Sequence, residues 1–276
     1  MTHSAPAIDE IVAVREQLGD RIMRTPVIRC AGLEDLLDNG TRVYGKLEFL
    51  QRTGTFKARG ALVTLLALSD EQRSAGVTAV SAGTHAIATA YAAKATGAHA
   101  KVVMIKTANP YRVEACRALG ADVIIAGDAH EAFEKAESIQ RDEGRYFVHP
   151  FEGRPVALGT GTLGLEIAEQ VERFDTVIVP IGGGGLIAGV SNALRQARPD
   201  CTIVGVEPQG ADSMHRSFES GEPERIDAVK TMADSLGAPY SLPYSFALTR
   251  ANVDRLTLVS DDGLAETMRI LFRHMK

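Results

Sequence analysis

The sequence contains no tryptophan, and aromatic residues make up only 5% of it. With so few rings, no surface is evident on which nucleic-acid bases could stack. The net charge of −5 and the pI of about 5.8 also argue against binding to nucleic acid or to an anionic membrane. We therefore predict neither nucleic-acid nor membrane partners.

Cysteine is scarce as well: Cys30, Cys116 and Cys201 are the three cysteines, and they lie far apart in the chain. An odd number at such spacing makes neither a disulfide framework nor a zinc pattern, which favours reduced thiols. No apolar run approaches the ~20 residues of a membrane span, and the N-terminal residues lack the charged-then-apolar pattern of a signal peptide. These absences predict a cytoplasmic protein.

What the sequence does contain is a long alternation of short apolar strands with helical segments. Such an alternation is typical of βαβ units and parallel sheets. Continuous apolar strands such as Thr176–Pro180 suit sheets that are covered on both faces. We predict an α/β protein with two parallel-sheet, three-layer domains. Residues 1–75 and 152–276 would form the large cofactor-binding domain, and residues 76–151 a small domain inserted in it.

Outside this alternation the pattern is less regular, and three further elements are predicted. Arg42–Phe49 alternates as a strand, and Asp234–Tyr244 is rich in Pro, Gly and Ser, which favours a loop. Ser260 is a good cap for a final helix over Asp261–Lys276.

Lys57 stands between a turn, Thr53–Phe56, and the helix-like run that follows. The positive end of a helix dipole disfavours an ammonium group at this place and lowers its pKa. A lysine with a lowered pKa is an amine nucleophile, most often used to form a Schiff base with a carbonyl. Taken alone, Lys57 is more typical of a solvated surface lysine, since most lysines are exposed.

A second motif, Gly182-Gly183-Gly184-Gly185, follows the strand Thr176–Pro180 and opens a helix. Four glycines allow several backbone N–H groups to surround an anion at a helix N-terminus. The spacing of Gly183, Gly185 and Ala188, with Glu207 at the end of the next strand, also fits a dinucleotide fingerprint. A structural tight turn is the third interpretation.

The third motif runs from Ser81 to His85, between the strand Val77–Val80 and a helix. Backbone N–H groups at a helix start, together with a serine hydroxyl, suit the binding of a carboxylate. The alternative is a simple helix cap made by Ser81 or Thr84, and His85 is more typical of a packed histidine than of a base.

The segment from Lys46 to Ala61, KLEFLQRTGTFKARGA, resembles the cofactor-lysine segment of the pyridoxal-phosphate enzymes of the serine/threonine dehydratase and serine racemase family. The two other motifs follow in the family's order, and the resemblance covers about Ile22 to Lys276. It implies the tryptophan-synthase-β-like fold, a homodimer, and pyridoxal 5'-phosphate linked to Lys57. The cofactor-binding residues implied are Phe56, Lys57, Thr84, Gly182, Gly183, Gly184 and Gly185. The substrate-binding residues implied are Ser81, Ala82, Gly83, Thr84 and His85.

The sequence departs from the family pattern at several positions. Thr84 stands where asparagine is usual, and a hydroxyl offers less than the amide's paired donor and acceptor. Ala82 stands where racemases of the family carry a serine, which favours a dehydratase because a methyl group cannot exchange a proton. Where some members bind a divalent cation, Glu207 and Ala211 match but Ser213 replaces a carboxylate, and we predict no metal.

The resemblance implies β-elimination of water from a hydroxy-amino acid such as serine or threonine, giving a 2-oxo acid and ammonia, with Lys57 as the catalytic residue. Three alternatives remain at this stage: an amino-acid racemase, an NAD-binding oxidoreductase, and a weakly active or inactive cofactor-binding fragment. The last arises because family members normally continue for several dozen residues beyond a helix like the one ending at Lys276.

Overall fold

The computed structural model describes residues 4–275. Its strands are β1 (Val27–Arg29), β2 (Tyr44–Lys46), β3 (Val77–Val80), β4 (Ala100–Ile105), β5 (Asp122–Ala126), β6 (Tyr146–Phe147), β7 (Thr176–Pro180), β8 (Thr202–Pro208) and β9 (Arg255–Val259). Its α-helices are α1 (Ile8–Leu18), α2 (Ala31–Leu37), α3 (Lys57–Leu66), α4 (Asp70–Ala75), α5 (Thr84–Thr96), α6 (Pro110–Ala118), α7 (Ala129–Glu143), α8 (Arg154–Gln170), α9 (Gly185–Ala197), α10 (Ser213–Ser220), α11 (Pro243–Asn252) and α12 (Asp261–His274).

A four-stranded parallel sheet forms from strands within residues 77–147, in the order β5-β4-β3-β6. Its central strands are apolar and buried, because helices cover both faces of a parallel sheet. Alanines dominate the buried surface of α5, which lets this helix lie close to the sheet and to α3. The first turn of α5 therefore comes to the carboxyl end of β3.

A second parallel sheet, in the order β7-β8-β9, lies within residues 176–259. Helices α8 and α9 run beside it and pack unusually closely. A β-carbon on Gly164 would lie 2.8 Å from the Val190 carbonyl oxygen, and one on Gly189 would lie 2.4 Å from that of Ala157. Glycine at these two positions allows the helix backbones to touch. That contact fixes the start of α9 at the carboxyl end of β7.

The two sheets occupy separate stretches of chain, and an antiparallel pair, β1 with β2, precedes both. The domain boundaries 1–75, 76–151 and 152–276 stay a prediction. Residues 1–3 and Lys276, which the prediction included, lie outside the described residues. None of the helices described is both long enough and apolar enough to cross a membrane.

Several predicted elements differ in the structure. The strand expected over Arg42–Phe49 is confined to β2 and is followed by a 3-10 turn, Glu48–Leu50. The predicted loop Asp234–Tyr244 ends in the first residues of α11. Pro243 occupies the first turn of this helix, and the Glu152 carboxylate accepts hydrogen bonds from the backbone N–H groups of Tyr244 and Ser245. The cap comes from a residue far away in sequence, so local patterns did not reveal the helix.

Candidate active site

Lys57 is the first residue of α3 and follows a turn in which Gly54 has a φ of +73°. The Thr55 hydroxyl oxygen accepts the backbone N–H of Lys57 at 3.3 Å. The Nζ of Lys57 donates a hydrogen bond to the Pro150 carbonyl at 3.2 Å. Burial lowers the pKa of Lys57 to about 8. Desolvation is the cause, and it makes the amine partly neutral near physiological pH.

Gly182, Gly183 and Gly184 link β7 to α9, and no protein acceptor within residues 4–275 receives a hydrogen bond from their N–H groups. Gly184 has a φ of +90°, which only glycine adopts without strain. The Ser245 hydroxyl donates to the Gly183 carbonyl at 3.2 Å and so holds the carbonyl side of the loop. Free N–H groups at the start of a thirteen-residue helix are the donors that a phosphate monoester requires.

The glycines of this loop are also required by close packing. A β-carbon on Gly183 would come within 2.3 Å of the Phe151 ring, and one on Gly185 within 2.6 Å of the Phe151 carbonyl oxygen. One on Gly182 would lie 3.2 Å from the backbone of Leu236. Leu236 lies in the segment Asp234–Tyr244, which the sequence predicts as a loop. No local pattern indicates the role of Phe151, because an aromatic ring in a connecting segment looks the same whether it is solvated or packed.

A cavity of about 230 Å³ brings together the predicted cofactor residues. Its walls contain Phe56, Lys57, Thr84 and all four glycines of the loop, together with Glu48, Phe49, Gly54, Thr55, Phe151, Pro180, Leu186, Ser235 and Leu236. The three predicted segments, at residues 56–57, 84 and 182–185, are far apart in the chain and thus meet around one cavity. The predicted substrate residues Ser81, Ala82, Gly83 and His85 adjoin Thr84 but do not line this cavity.

The loop Ser81–Gly83 lies between β3 and α5. The Ser81 hydroxyl oxygen accepts the N–H of Gly83 at 3.0 Å, and no described protein group accepts the N–H of Ala82. The Arg112 guanidinium lies beside Gly83 and pairs with Asp234 at 2.8 Å. A free donor and a nearby cation are compatible with the predicted binding of a carboxylate here.

Two histidines flank Lys57, and both are held neutral. The Nε2 of His85 lies 2.8 Å from the Val148 carbonyl oxygen, and burial, helped by the Lys57 charge, lowers the pKa of His85 to about 3. The Nδ1 of His149 accepts the backbone N–H of Glu152 at 3.0 Å, and burial lowers the pKa of His149 to about 4. The Nε2 atom of His85 is therefore occupied by the Val148 carbonyl.

Glu207 is buried at the end of β8 and caps α10. Its two carboxylate oxygens accept the backbone N–H groups of Met214 at 3.0 Å and His215 at 2.7 Å. Burial raises the pKa of Glu207 to about 8. Glu207 therefore has a structural role, and its oxygens are not available to bind a ribose as they would be in a dinucleotide site. Within residues 4–275 no group of three or more His, Cys, Asp or Glu side chains is arranged to hold a metal ion.

Comparison with known proteins gives the family. Residues 18–276 match the family model described as "Pyridoxal-phosphate dependent enzyme". The chain is 52% identical over 275 residues to phenylserine dehydratase of Ralstonia pickettii, covering 100% of this chain and 84% of that protein. It is 37% identical over 270 residues to L-threonine ammonia-lyase of Thermotoga maritima, covering 98% of this chain and 67% of that protein.

Solved structures agree with this result. The maize serine racemase superimposes with a TM-score of 0.93 at 33% identity, covering 99% of this chain and 82% of that one. Threonine deaminase isoform 2 of Solanum lycopersicum gives a TM-score of 0.91 at 34% identity, covering 98% and 80%.

The fold and the family match define a pyridoxal-phosphate-dependent enzyme. This chain belongs to the serine/threonine dehydratase and serine racemase family of pyridoxal-phosphate-dependent enzymes. The predicted fold, cofactor and enzyme class, a pyridoxal-phosphate-dependent lyase, are confirmed by these comparisons. They contradict the interpretation as an NAD-binding oxidoreductase. The residues present fit the cofactor, since a partly neutral lysine amine faces the same cavity as a loop of free N–H donors.

Proposed function

We propose that the chain removes water from 3-hydroxy amino acids that carry an aryl group on the β-carbon, with phenylserine as the representative substrate. The observation that best supports this reaction is that Lys57, Thr84 and the glycine loop line a single cavity. The substrate class is supported by the 52% identity to a phenylserine dehydratase. It is also supported by apolar side chains in the cavity wall, among them Phe49, Leu186 and Leu236.

The proposed cofactor contacts follow from the free groups in the cavity. The N–H groups of the glycine loop would hold the phosphate, and Thr84 offers one hydroxyl donor in the same cavity. Phe56 lies directly before Lys57 and contributes an apolar wall. When bound, pyridoxal phosphate supplies the electron sink that stabilises negative charge on the substrate α-carbon.

The protein's own part in the reaction is to bind the substrate and to move a proton. The loop from Ser81 to His85 would take the α-carboxylate, which orients the Cα–H bond. The neutral amine of Lys57 then accepts the α-proton, and its lowered pKa provides this neutral form near pH 8. Loss of the β-hydroxyl with one proton as water leaves an enamine, which water converts to the 2-oxo acid and ammonia.

A racemase is the second candidate, because the similar solved structures include a serine racemase. Ala82 speaks against it, since its methyl group packs against the core of residues around the first sheet and offers no proton. We also propose a homodimer, on the basis of the family resemblance alone, and a cytoplasmic location, on the basis of the sequence. Sedimentation at micromolar concentration tests the dimer, and a single monomer peak would contradict it.

The substrate class is tested by initial rates of 2-oxo acid formation from L-threo-phenylserine, L-threonine and L-serine, with Lys57→Ala as the blank. We expect kcat/KM for phenylserine to exceed that for threonine by roughly tenfold or more, as an apolar pocket distinguishes large from small side chains. A preference for threonine would contradict the aryl substrate and leave the enzyme class intact. Absence of every 2-oxo acid product from holoenzyme would contradict the proposed reaction.

A further inference from the structure

Arg59 lies two residues after Lys57 on α3 and is fully buried. Its guanidinium bonds both oxygens of Glu48: Nε donates to Oε2 and Nη2 to Oε1, each at 2.9 Å. It also bonds both oxygens of Glu166, with Nη1 at 2.6 Å from Oε1 and Nη2 at 2.9 Å from Oε2. One side chain thus ties α3 to the 3-10 turn Glu48–Leu50 and to α8.

Glu48 is the only carboxylate among the described residues that line the Lys57 cavity. No carboxylate within residues 4–275 pairs with the Lys57 amine, whose hydrogen bond goes to the Pro150 carbonyl. The contacts of Glu48 explain why it does not pair with the Lys57 amine. Arg59 engages both of its oxygens, and the Thr25 hydroxyl donates to Oε1 at 2.6 Å. The carboxylate is thereby held toward the interior.

The buried cluster around Arg59 contains two positive and two negative side chains, so its charges are balanced. Arg59 and Lys46 carry the positive charges, and Glu48 and Glu166 the negative ones. Lys46 Nζ lies 2.5 Å from Oε2 of Glu166 and does not contact Glu48. The other titratable groups beside Lys57 are His85 on α5 and His149 after β6, both neutral near pH 7. Of these groups, therefore, a released Glu48 is the one able to place a negative charge next to the amine.

We propose that Arg59 is a positioning residue that holds the Glu48 carboxylate away from Lys57, so that the lysine amine remains available as a nucleophile and base. The inference rests on the proposed role of Lys57, but its test does not require turnover. A carboxylate released into the same cavity would pair with the ammonium form of Lys57 and stabilise it. The amine would then become reactive only at higher pH.

The test measures the ionisation of Lys57 in cofactor-free protein. Brief acetylation with acetic anhydride across pH 6 to 11, followed by peptide mass spectrometry, gives the pH midpoint of Lys57 reactivity. In Arg59→Met we expect that midpoint to rise by about one pH unit or more, as for a lysine that gains a nearby carboxylate. In Arg59→Met/Glu48→Gln it should return to the parent value.

Lys46→Met is the matched control. It removes a positive charge from the same cluster but leaves Glu48 bonded to Arg59, so the Lys57 midpoint should shift much less than in Arg59→Met. An unchanged midpoint in Arg59→Met, or a raised midpoint that Glu48→Gln does not restore, would overturn the proposal. Equal shifts in Lys46→Met and Arg59→Met would also overturn it, because net charge alone would then explain them.

Circular dichroism establishes whether each variant is folded. Should Arg59→Met fail to fold, Arg59→Lys decides, since an ammonium keeps the charge but cannot bond both Glu48 oxygens in the fixed fork of a guanidinium. A raised Lys57 midpoint in that variant supports the proposal, and the parent midpoint contradicts it. If the parent protein shows no lyase activity but Arg59→Met still raises the Lys57 midpoint, the proposed function fails while this inference holds.

Discussion

The ring of Phe151 lies directly on Gly183, so that a β-carbon on this glycine would come within 2.3 Å of the ring. Phe151 follows Pro150, whose carbonyl accepts the hydrogen bond from Lys57. The segment between β6 and α8 therefore contacts both the lysine and the glycine loop. A substitution in the loop must disturb packing as well as the N–H donors, and the two effects can be separated.

We expect Gly183→Val to weaken cofactor binding at least tenfold, because the side chain meets Phe151 and covers free N–H groups. Spectroscopic titration of cofactor-free protein measures the affinity. The control, Phe151→Ala, creates room for the valine. Restored affinity in Phe151→Ala/Gly183→Val would show that packing alone was responsible, and unchanged affinity in Gly183→Val would contradict a phosphate site at this loop.

Lys57→Ala should abolish lyase activity and the visible absorbance of lysine-bound cofactor while the fold is retained. Lys57 lies at the helix start with its side chain in the cavity wall, so its removal leaves the core unchanged. In the parent protein, borohydride should fix the cofactor to the Lys57 peptide, and mass spectrometry identifies the site. Residual activity near the parent level, or fixation on another lysine, would contradict the assignment.

The lowered pKa of Lys57 predicts how fast cofactor-free protein takes up pyridoxal phosphate at different pH. Only the neutral amine attacks a carbonyl, so the uptake rate should rise with pH and level off above the pKa of about 8. Nα-acetyl-lysine, whose only amine is a side chain with a pKa near 10.4, is the control, and its rate should continue to rise at pH 9. Stopped-flow absorbance compares the two profiles, which should not coincide.

Glu207 predicts a pH dependence of stability. Burial raises the pKa of its carboxyl from the ordinary 4.5 to about 8, so the folded state binds the proton more tightly than the unfolded state. Its contribution is fully present below the unfolded pKa and is lost as pH rises toward 8. Within that window the contribution of Glu207 to the free energy of unfolding falls by about 1.4 kcal/mol per pH unit.

The Glu207→Gln variant should lose this slope, because an amide does not titrate. Urea unfolding at several pH values between 5 and 8 measures the free energy of unfolding. Glu114→Gln, on an exposed side chain, serves as the control and should keep the parent slope. Equal slopes in Glu207→Gln and the parent protein would show that Glu207 is not the residue responsible.

The parts of the site that the sequence revealed are those built from contiguous residues. Strand-to-helix turns place Lys57, Thr84 and the glycine loop, and each carries a local pattern of glycine, threonine or helix start. The turns follow strands of three different sheets, β2, β3 and β7, so no sheet topology alone brings them together. The cavity nevertheless contains every predicted cofactor residue.

The parts that the sequence did not reveal depend on long-range contacts. Phe151 on Gly183, Glu152 capping α11 and Arg59 bonding Glu166 each join distant segments. No periodicity marks them, because a carboxylate or ring in a connecting loop looks the same whether it is solvated or buried. Helix α11 was missed for the same reason, since its N–H groups are capped by a residue ninety-two positions away.

Ala82 provides the last prediction, which concerns the course of the reaction. Racemisation requires a proton on the side of the substrate α-carbon opposite Lys57, whereas elimination requires Lys57 alone. The Ala82 methyl group carries no exchangeable proton. We therefore expect the parent enzyme, given L-serine in deuterated water, to form far more pyruvate than D-serine. Comparable amounts of the two products would contradict the assignment of Ala82.

The Ala82→Ser variant tests the same idea in the opposite direction. Ala82 is only partly buried beside a polar loop, so a new hydroxyl there can bond a neighbour or water at little cost in stability. If position 82 faces the α-carbon, D-serine formation should rise relative to pyruvate. Ala86→Ser, in the first turn of α5 and fully buried, is the control that adds a hydroxyl away from the loop. An equal rise in both variants would mean that loosened packing, rather than a proton donor at position 82, changes the ratio of products.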